Sequence, residues 1–289
     1  MGYSDAQEDV DRMTRIIQEK AQAKAEEKKE EKEEKTEKVK EEKSEKVEKS
    51  ESKPKSKSKT PVYGSVLAGS LSEGVRAYNQ GNYAEACVHF EKACKNKDEL
   101  AYYYYAICKY YGLGCEKDYD TAYKYFKLAV NKGNADAVYY LAQCYAKGYG
   151  CDKNPQLAYK NYKKAADGGS AQAEFGVSWC YRTGSGVERN VKNAFKWAVK
   201  AADHGNSDAL YYVGWCYASG TGVNKDYGKA VEYFRKSAAK GDANAMYNLA
   251  LCYEMGYGVE ADGEEALRLY KKARAKGSEA AKQRLKKLR

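Results

Sequence analysis

The chain repeats itself every 36 residues. YYVGWCYASGTGV at 211–223 follows FGVSWCYRTGSGV at 175–187, which follows YYLAQCYAKGYGC at 139–151; YNLALCYEMGYGV at 247–259 continues the series. A fixed step of this length is the signature of one small supersecondary unit repeated in an array. One such unit cannot bury its apolar face alone, so neighbours must stack. Five units of 36 residues begin at Asp98, Asn134, Ser170, Asn206 and Asp242.

Each unit reads as two helices. The first stretch stops at Gly112, Gly148, Gly184, Gly220 or Gly256, and glycine accepts the left-handed conformation that follows a helix end. A second glycine two residues on gives a Gly-x-Gly loop. The next helix opens at Asp118, Asn154, Asn190, Asp226 or Asp262, all residues that cap a first-turn amide. It closes at Gly133, Gly169, Gly205, Gly241 or Gly277. Alanine recurs where helices must touch closely, at Ala101, Ala137, Ala173, Ala209 and Ala245 on the first helix and Ala122, Ala158, Ala194, Ala230 and Ala266 on the second.

The pattern A-x-Y-x-[LV]-[AG]-x-C-Y-x-x-G-x-G-V, a capping Asp or Asn, and then A-x-x-[YF]-x-x-A-A-x-x-G resembles the Sel1-like repeat of the tetratricopeptide superfamily. The resemblance covers residues 98–277. Upstream, Gly74, Gly81, Ala86, Phe90 and Ala93 stand at the spacing of an ordinary tetratricopeptide unit with a shorter loop. The implied fold is an all-α, right-handed solenoid. The expected layout is a charged arm and linker at 1–61, a tetratricopeptide-like unit at 62–97, five Sel1-like units at 98–277, and a basic capping helix at 278–289. What the resemblance implies for function is a non-catalytic adaptor or scaffold that holds a protein or peptide. It also brings one alternative, the β-lactam-binding, hydrolase-like role of cysteine-rich relatives; a further alternative is a structural protein that self-assembles through residues 10–21 or exposed aromatics.

The arm is neutral. Residues 1–60 hold 17 basic and 17 acidic residues, so the remainder carries the whole +10. That charge permits weak attraction to acidic partners, but no Lys/Arg stripe with interleaved aromatics marks a nucleic-acid groove, so no specific nucleic-acid partner is expected. The Glu/Lys run at 24–52 has no apolar stripe to bury and reads as a fraying charged helix or a disordered segment. Val10, Met13, Ile17 and Ala21 do fall on one helix face, a candidate self-association segment within residues 10–21. KPKSKSKTP at 53–61 is a basic linker. The sequence has no apolar run of signal-peptide or membrane-spanning type, and the chain reads as cytoplasmic.

Nine cysteines, an odd number, suit a reducing compartment. Cys108, Cys144, Cys180, Cys216 and Cys252 recur at the repeat step. Equivalent stacked helices lie about 10 Å apart, beyond disulfide reach, so this column reads as small buried apolar residues. Cys108/Cys115 and Cys144/Cys151 are seven apart, but Val187, Val223 and Val259 replace the second member in later units. That exchange reads as hydrophobe for hydrophobe. With two histidines, His89 and His204, and no C-x-x-C, neither a metal site nor a cofactor is expected. Gly-x-Gly follows a helix and lacks the Lys-Ser/Thr of a phosphate loop, so no catalytic residue is assigned.

The tetratricopeptide layout implies a concave binding face on the first helices, with three columns. One is Tyr103, Tyr139, Phe175, Tyr211 and Tyr247; as a common part of the repeat pattern it reads mainly as packing. The second, Ile107, Gln143, Trp179, Trp215 and Leu251, varies as a packing position should not. The third is Tyr110, Ala146, Arg182, Ala218 and Glu254. Trp179, Trp215, Tyr211, Phe175, Arg182 and Tyr110 are the candidate partner-binding residues, since exposed Trp with Arg typifies binding hot spots.

Overall fold

The computed structural model describes residues 69–288. The expectations for the arm, the linker and residues 10–21 lie outside the described residues. Thirteen α-helices and no strand occur among the described residues: α1 Ser70–Asn79, α2 Tyr83–Lys95, α3 Glu99–Tyr111, α4 Tyr119–Asn131, α5 Ala135–Lys147, α6 Pro155–Asp167, α7 Ala171–Thr183, α8 Val191–Asp203, α9 Ser207–Ser219, α10 Tyr227–Ala239, α11 Ala243–Met255, α12 Gly263–Ala275 and α13 Glu279–Lys287. The fold is the all-helical one that the repeat implies.

Local chemistry sets the boundaries. Asp118 Oδ1 accepts from Thr121 N at 3.0 Å, and Asn154, Asn190, Asp226 and Asp262 make the same bond at the start of their helices. Asn134, Ser170, Asn206 and Asp242 cap the first helices in the same way, and Asp98 accepts from Leu100 N, two residues on. Each such cap contributes about 1 kcal/mol. Gly148 ends α5 at φ +75°, where its N–H reaches Cys144 O at 2.8 Å. The second glycine of the loop has a different task. A Cβ on Gly150 (φ +68°) would stand 2.1 Å from Tyr119 O, so only glycine lets this loop rest on the start of the preceding second helix.

The contacts group into two compact units, one ending in Ile107–Lys117 after the chain up to Ala101, the other made of Tyr102–Ala106 and Asp118 onward. In the first, α1 packs on α2 through Leu71, Ala77, Ala86 and Phe90, all buried. Gly74 leaves room for the Phe90 ring, which would stand 2.6 Å from an added Cβ.

In the second unit each helix from α4 packs on the next, giving helix pairs in series. The alanine columns and Cys144, Cys180, Cys216 and Cys252 are buried. Phe126, Phe234 and Tyr270 fill the space between pairs and are also buried; each such side chain contributes roughly 1.5–3 kcal/mol on leaving water. Glu174 is the exception in composition. It is wholly buried on α7, yet His204 Nδ1 lies 2.8 Å from Oε2 and Lys200 Nζ 3.0 Å from Oε1. Its charge is therefore matched by Lys200, and its other oxygen is held in a hydrogen bond with His204, both from the end of α8. Helix α13 closes the series: Ala281 and Leu285 bury one face, and the Arg284 guanidinium engages the Glu254 carboxylate. The tail helix is thus amphipathic and docked.

Candidate binding site

Helices α7 and α9 are first helices of adjacent repeats. Ala173, Val177 and Cys180, and Ala209, Val213 and Cys216, turn inward and are buried. Phe175, Trp179 and Arg182 then share another face of α7 at helical steps, as Tyr211 and Trp215 do on α9. Gly176 and Gly214 sit against the Tyr162 and Phe234 rings, 2.6 and 2.8 Å from where a Cβ would be, so larger residues would push these first helices away.

The outer face holds two large rings in water. Trp179 is 38% and Trp215 41% exposed. Trp215 stacks on Tyr212 with ring centroids 5.9 Å apart and planes at 19°. Phe175 meets the same Tyr212 ring edge-on at 6.2 Å. The Arg182 guanidinium lies 5.0 Å from its centroid, within cation–π range. Tyr212 is thus the centre on which Phe175, Arg182 and Trp215 converge, and the sequence reading missed it. Its place beside the core residue Val213 looks like packing; the i, i+3 spacing to Trp215 was the signal available. Burial pushes the Tyr212 phenol up, while Arg182 and Arg189 oppose the shift. Arg189 also donates from Nε to Arg182 O at 3.2 Å, so two cations border the cluster.

The other candidates lie elsewhere. Tyr211 tilts against Phe234 at 6.1 Å, and its hydroxyl accepts from Asn248 Nδ2 at 3.3 Å. Burial pushes its phenol up. Tyr103, Tyr139 and Tyr247 likewise pack on Phe126, Tyr162 and Tyr270. Tyr110 belongs to the first unit, where it is buried with its ring 4.9 Å from Tyr111. In the varying column Ile107 is buried and Gln143 donates to Tyr139 Oη at 2.7 Å, which leaves the two tryptophans exposed. Glu254 is occupied by Arg284 and by the Tyr270 hydroxyl at 2.6 Å; the Arg284 hydrogen bonds hold its carboxyl below the usual range. No group of His, Cys, Asp or Glu among the described residues is arranged to hold a metal ion.

The whole array now meets its relatives. The Sel1 repeat model matches six segments, 69–98, 100–134, 135–170, 171–206, 207–242 and 243–278. The chain belongs to the Sel1 repeat family. The first match takes in the unit with the short loop between α1 and α2. Among solved structures, a Sel1 repeat protein from Oxalobacter formigenes is similar at 34% identity and a TM-score of 0.67, over 73% of this chain and 86% of that one. A protective antigen of uropathogenic Escherichia coli strains with the same repeat fold is similar at 29% identity and a TM-score of 0.66, over 75% of this chain. The match spans 47% of that antigen. No curated protein matches the chain. Sel1 repeat proteins generally mediate protein–protein interaction and typically act as non-enzymatic scaffolds. Among the described residues no helix is long and apolar enough to cross a membrane.

Proposed function

We propose that this Sel1 repeat protein is an adaptor that binds a peptide or protein segment on the first-helix face of α7 and α9. The observation that carries the reading is the pair Trp179 and Trp215, each about 40% exposed on adjacent repeats while equivalent positions are buried or engaged. Large rigid rings give contact area at low entropic cost, and Trp215 is held by its stack on the buried Tyr212. Arg182 and Arg189 add positive charge beside an apolar surface, which suits a segment with a large apolar side chain next to a carboxylate. Tyr211 and Phe175 support the face from below. Tyr110 contributes to the first unit's packing in this reading.

The test is affinity capture from native lysate with the wild type against a Trp179→Ala/Trp215→Ala variant, after circular dichroism and melting show the fold unchanged. Loss of a retained protein from the variant alone places the site on this face. Equal retention by both removes the two tryptophans from the function.

A further inference from the structure

All nine cysteines are reduced thiols, and three of them meet at one place in the first unit. Cys87 stands in the second turn of α2, Cys108 near the end of α3, and Cys115 in the loop that follows. The Cys108 and Cys115 side chains both lie close enough to the Cys87 thiol to favour its thiolate. The backbone fixes this meeting. Gly114 lies so close to α2 that an added Cβ would stand 2.1 Å from Tyr83 C and Ala84 N, which holds the next residue, Cys115, over the turn carrying Cys87. Cys87 and Cys108 are buried, whereas Cys115 is half-buried and opens the cluster to solvent.

The repeat makes the arrangement particular to this step. The residues 36, 72 and 108 positions after Cys87 are Tyr123, Tyr159 and Phe195; those after Cys115 are Cys151, Val187 and Val223. Cysteine therefore occupies both positions at the Cys87/Cys115 step and at none of the next three. The local chemistry also separates Cys87 from its relatives. The two S–H donors, aided by Lys109 and opposed by burial and Glu91, hold Cys87 down at about 6. Burial pushes Cys94, Cys144 and Cys180 up to about 12. A thiolate is the nucleophile in sulfur oxidation, and a half-exposed thiol beside it is the resolving partner such chemistry needs.

We propose that Cys87 and Cys115 form a peroxide-responsive dithiol that closes to a reversible disulfide, fastening the loop after α3 to α2. The oxidant is a hydroperoxide. The Cys87 thiolate attacks one peroxide oxygen, the O–O bond breaks, and the second oxygen leaves with the electron pair as hydroxide. Cys87 becomes a sulfenic acid. The Cys115 sulfur then attacks the Cys87 sulfur, its proton passes to the departing hydroxyl, and water leaves as the S–S bond forms. For hydrogen peroxide one thiolate, one thiol and one peroxide give one disulfide, one water and one hydroxide.

The test uses the full chain, fully reduced, exposed to hydrogen peroxide at pH 7 and quenched over time with N-ethylmaleimide before peptide mapping. The Cys87–Cys115 cross-linked peptide should be the first oxidation product, with a rate at least about tenfold above any oxidation of Cys144 or Cys151. Dithiothreitol should restore both thiols. Cys151 is the internal control, a loop thiol at the same repeat position in a unit where Tyr123 stands at the position equivalent to Cys87. In a Cys115→Ser variant, which alters a half-exposed loop residue, dimedone should label Cys87 as a sulfenic acid. A wild-type linkage of Cys87 to Cys108 would overturn the assignment of Cys115. Oxidation of Cys87 no faster than that of Cys151 would overturn the proposal as a whole.

Discussion

The Arg182 guanidinium stands 5.0 Å from the ring centroid of Tyr212, across the step from one repeat to the next. The contact ties a cation on α7 to the ring on which Trp215 is stacked. Arg182→Lys keeps the charge and removes the planar group that lies on the ring. We expect a shift in melting temperature of at most about 2 °C, because exposed cation–π contacts are worth about 0.5–1 kcal/mol. Partner affinity should fall roughly tenfold if Arg182 grips a carboxylate in paired fashion. Titration of the captured partner against both forms checks the two expectations together.

Gly150→Ala tests the loop that rests on the preceding helix. The residue is left-handed, and its new Cβ would stand 2.1 Å from Tyr119 O. Backbone must move, so the cost should be about 2–4 kcal/mol. Gly133→Ala is the control: it is also left-handed, at φ +84°, but a Cβ there meets nothing within 4 Å. It should lose only about 1 kcal/mol. Urea unfolding followed by circular dichroism compares the two, and equal losses would refute the close-approach account.

Glu174→Gln probes the buried carboxylate. Breaking a buried ion pair is costly when it strands a charge away from water. Here the remaining partners, Lys200 and His204, are each 47% exposed, so both rehydrate. The loss should be only about 1–2 kcal/mol. A loss near 5 kcal/mol in the same urea experiment would mean that the pair is far less hydrated than its exposure implies.

The Glu254–Arg284 pair makes the attachment of α13 depend on pH. Hydrogen bonds from Arg284, and then from Tyr270, lower the Glu254 carboxyl against the raising effect of burial. A lowered carboxyl contributes stability that is fully present above its unfolded value, about 4.3, and lost as pH falls through the lower folded value. Arg284→Ala should therefore lower the melting temperature at pH 7 and make little difference near pH 3. An equal loss at both pH values would show that packing of the arginine stem, not charge, holds the helix.

Thiol accessibility supplies a check on the core. Burial holds Cys144 and Cys180 up at about 12, and neither is exposed. Both should resist iodoacetamide in the native protein at pH 8 and react when unfolded. Cys180→Val should cost less than about 1.5 kcal/mol as a swap of similar volume. Rapid native alkylation of Cys180 would mean that the repeat opens far below global unfolding.

Much of this architecture is written locally. In the five 36-residue units, a glycine past each helix, a capping Asp, Asn or Ser at its start, and an alanine where two helices touch act within a turn or two of chain. The 36-residue step then multiplies each signal. For that reason the family, the helix boundaries and the buried cysteine column at 108, 144, 180, 216 and 252 were legible in the sequence. The exposed tryptophans were legible too, because Trp179 and Trp215 stand in a column that varies where a packing position would not.

Tertiary structure alone decided what meets across repeats. The sequence places Tyr212 beside Val213 and gives no sign that its ring is the centre for Phe175, Arg182 and Trp215, because that depends on how side chains from α7 and α9 lean toward each other. Cys87 and Cys115 are 28 positions apart, and the reading of Cys115 as a mere hydrophobe followed from comparing equivalent positions along the chain. The meeting of the two thiols depends instead on Gly114 resting against α2. Periodicity fixes what is the same in every repeat; contacts between unlike residues of neighbouring repeats arise only once the backbones are packed.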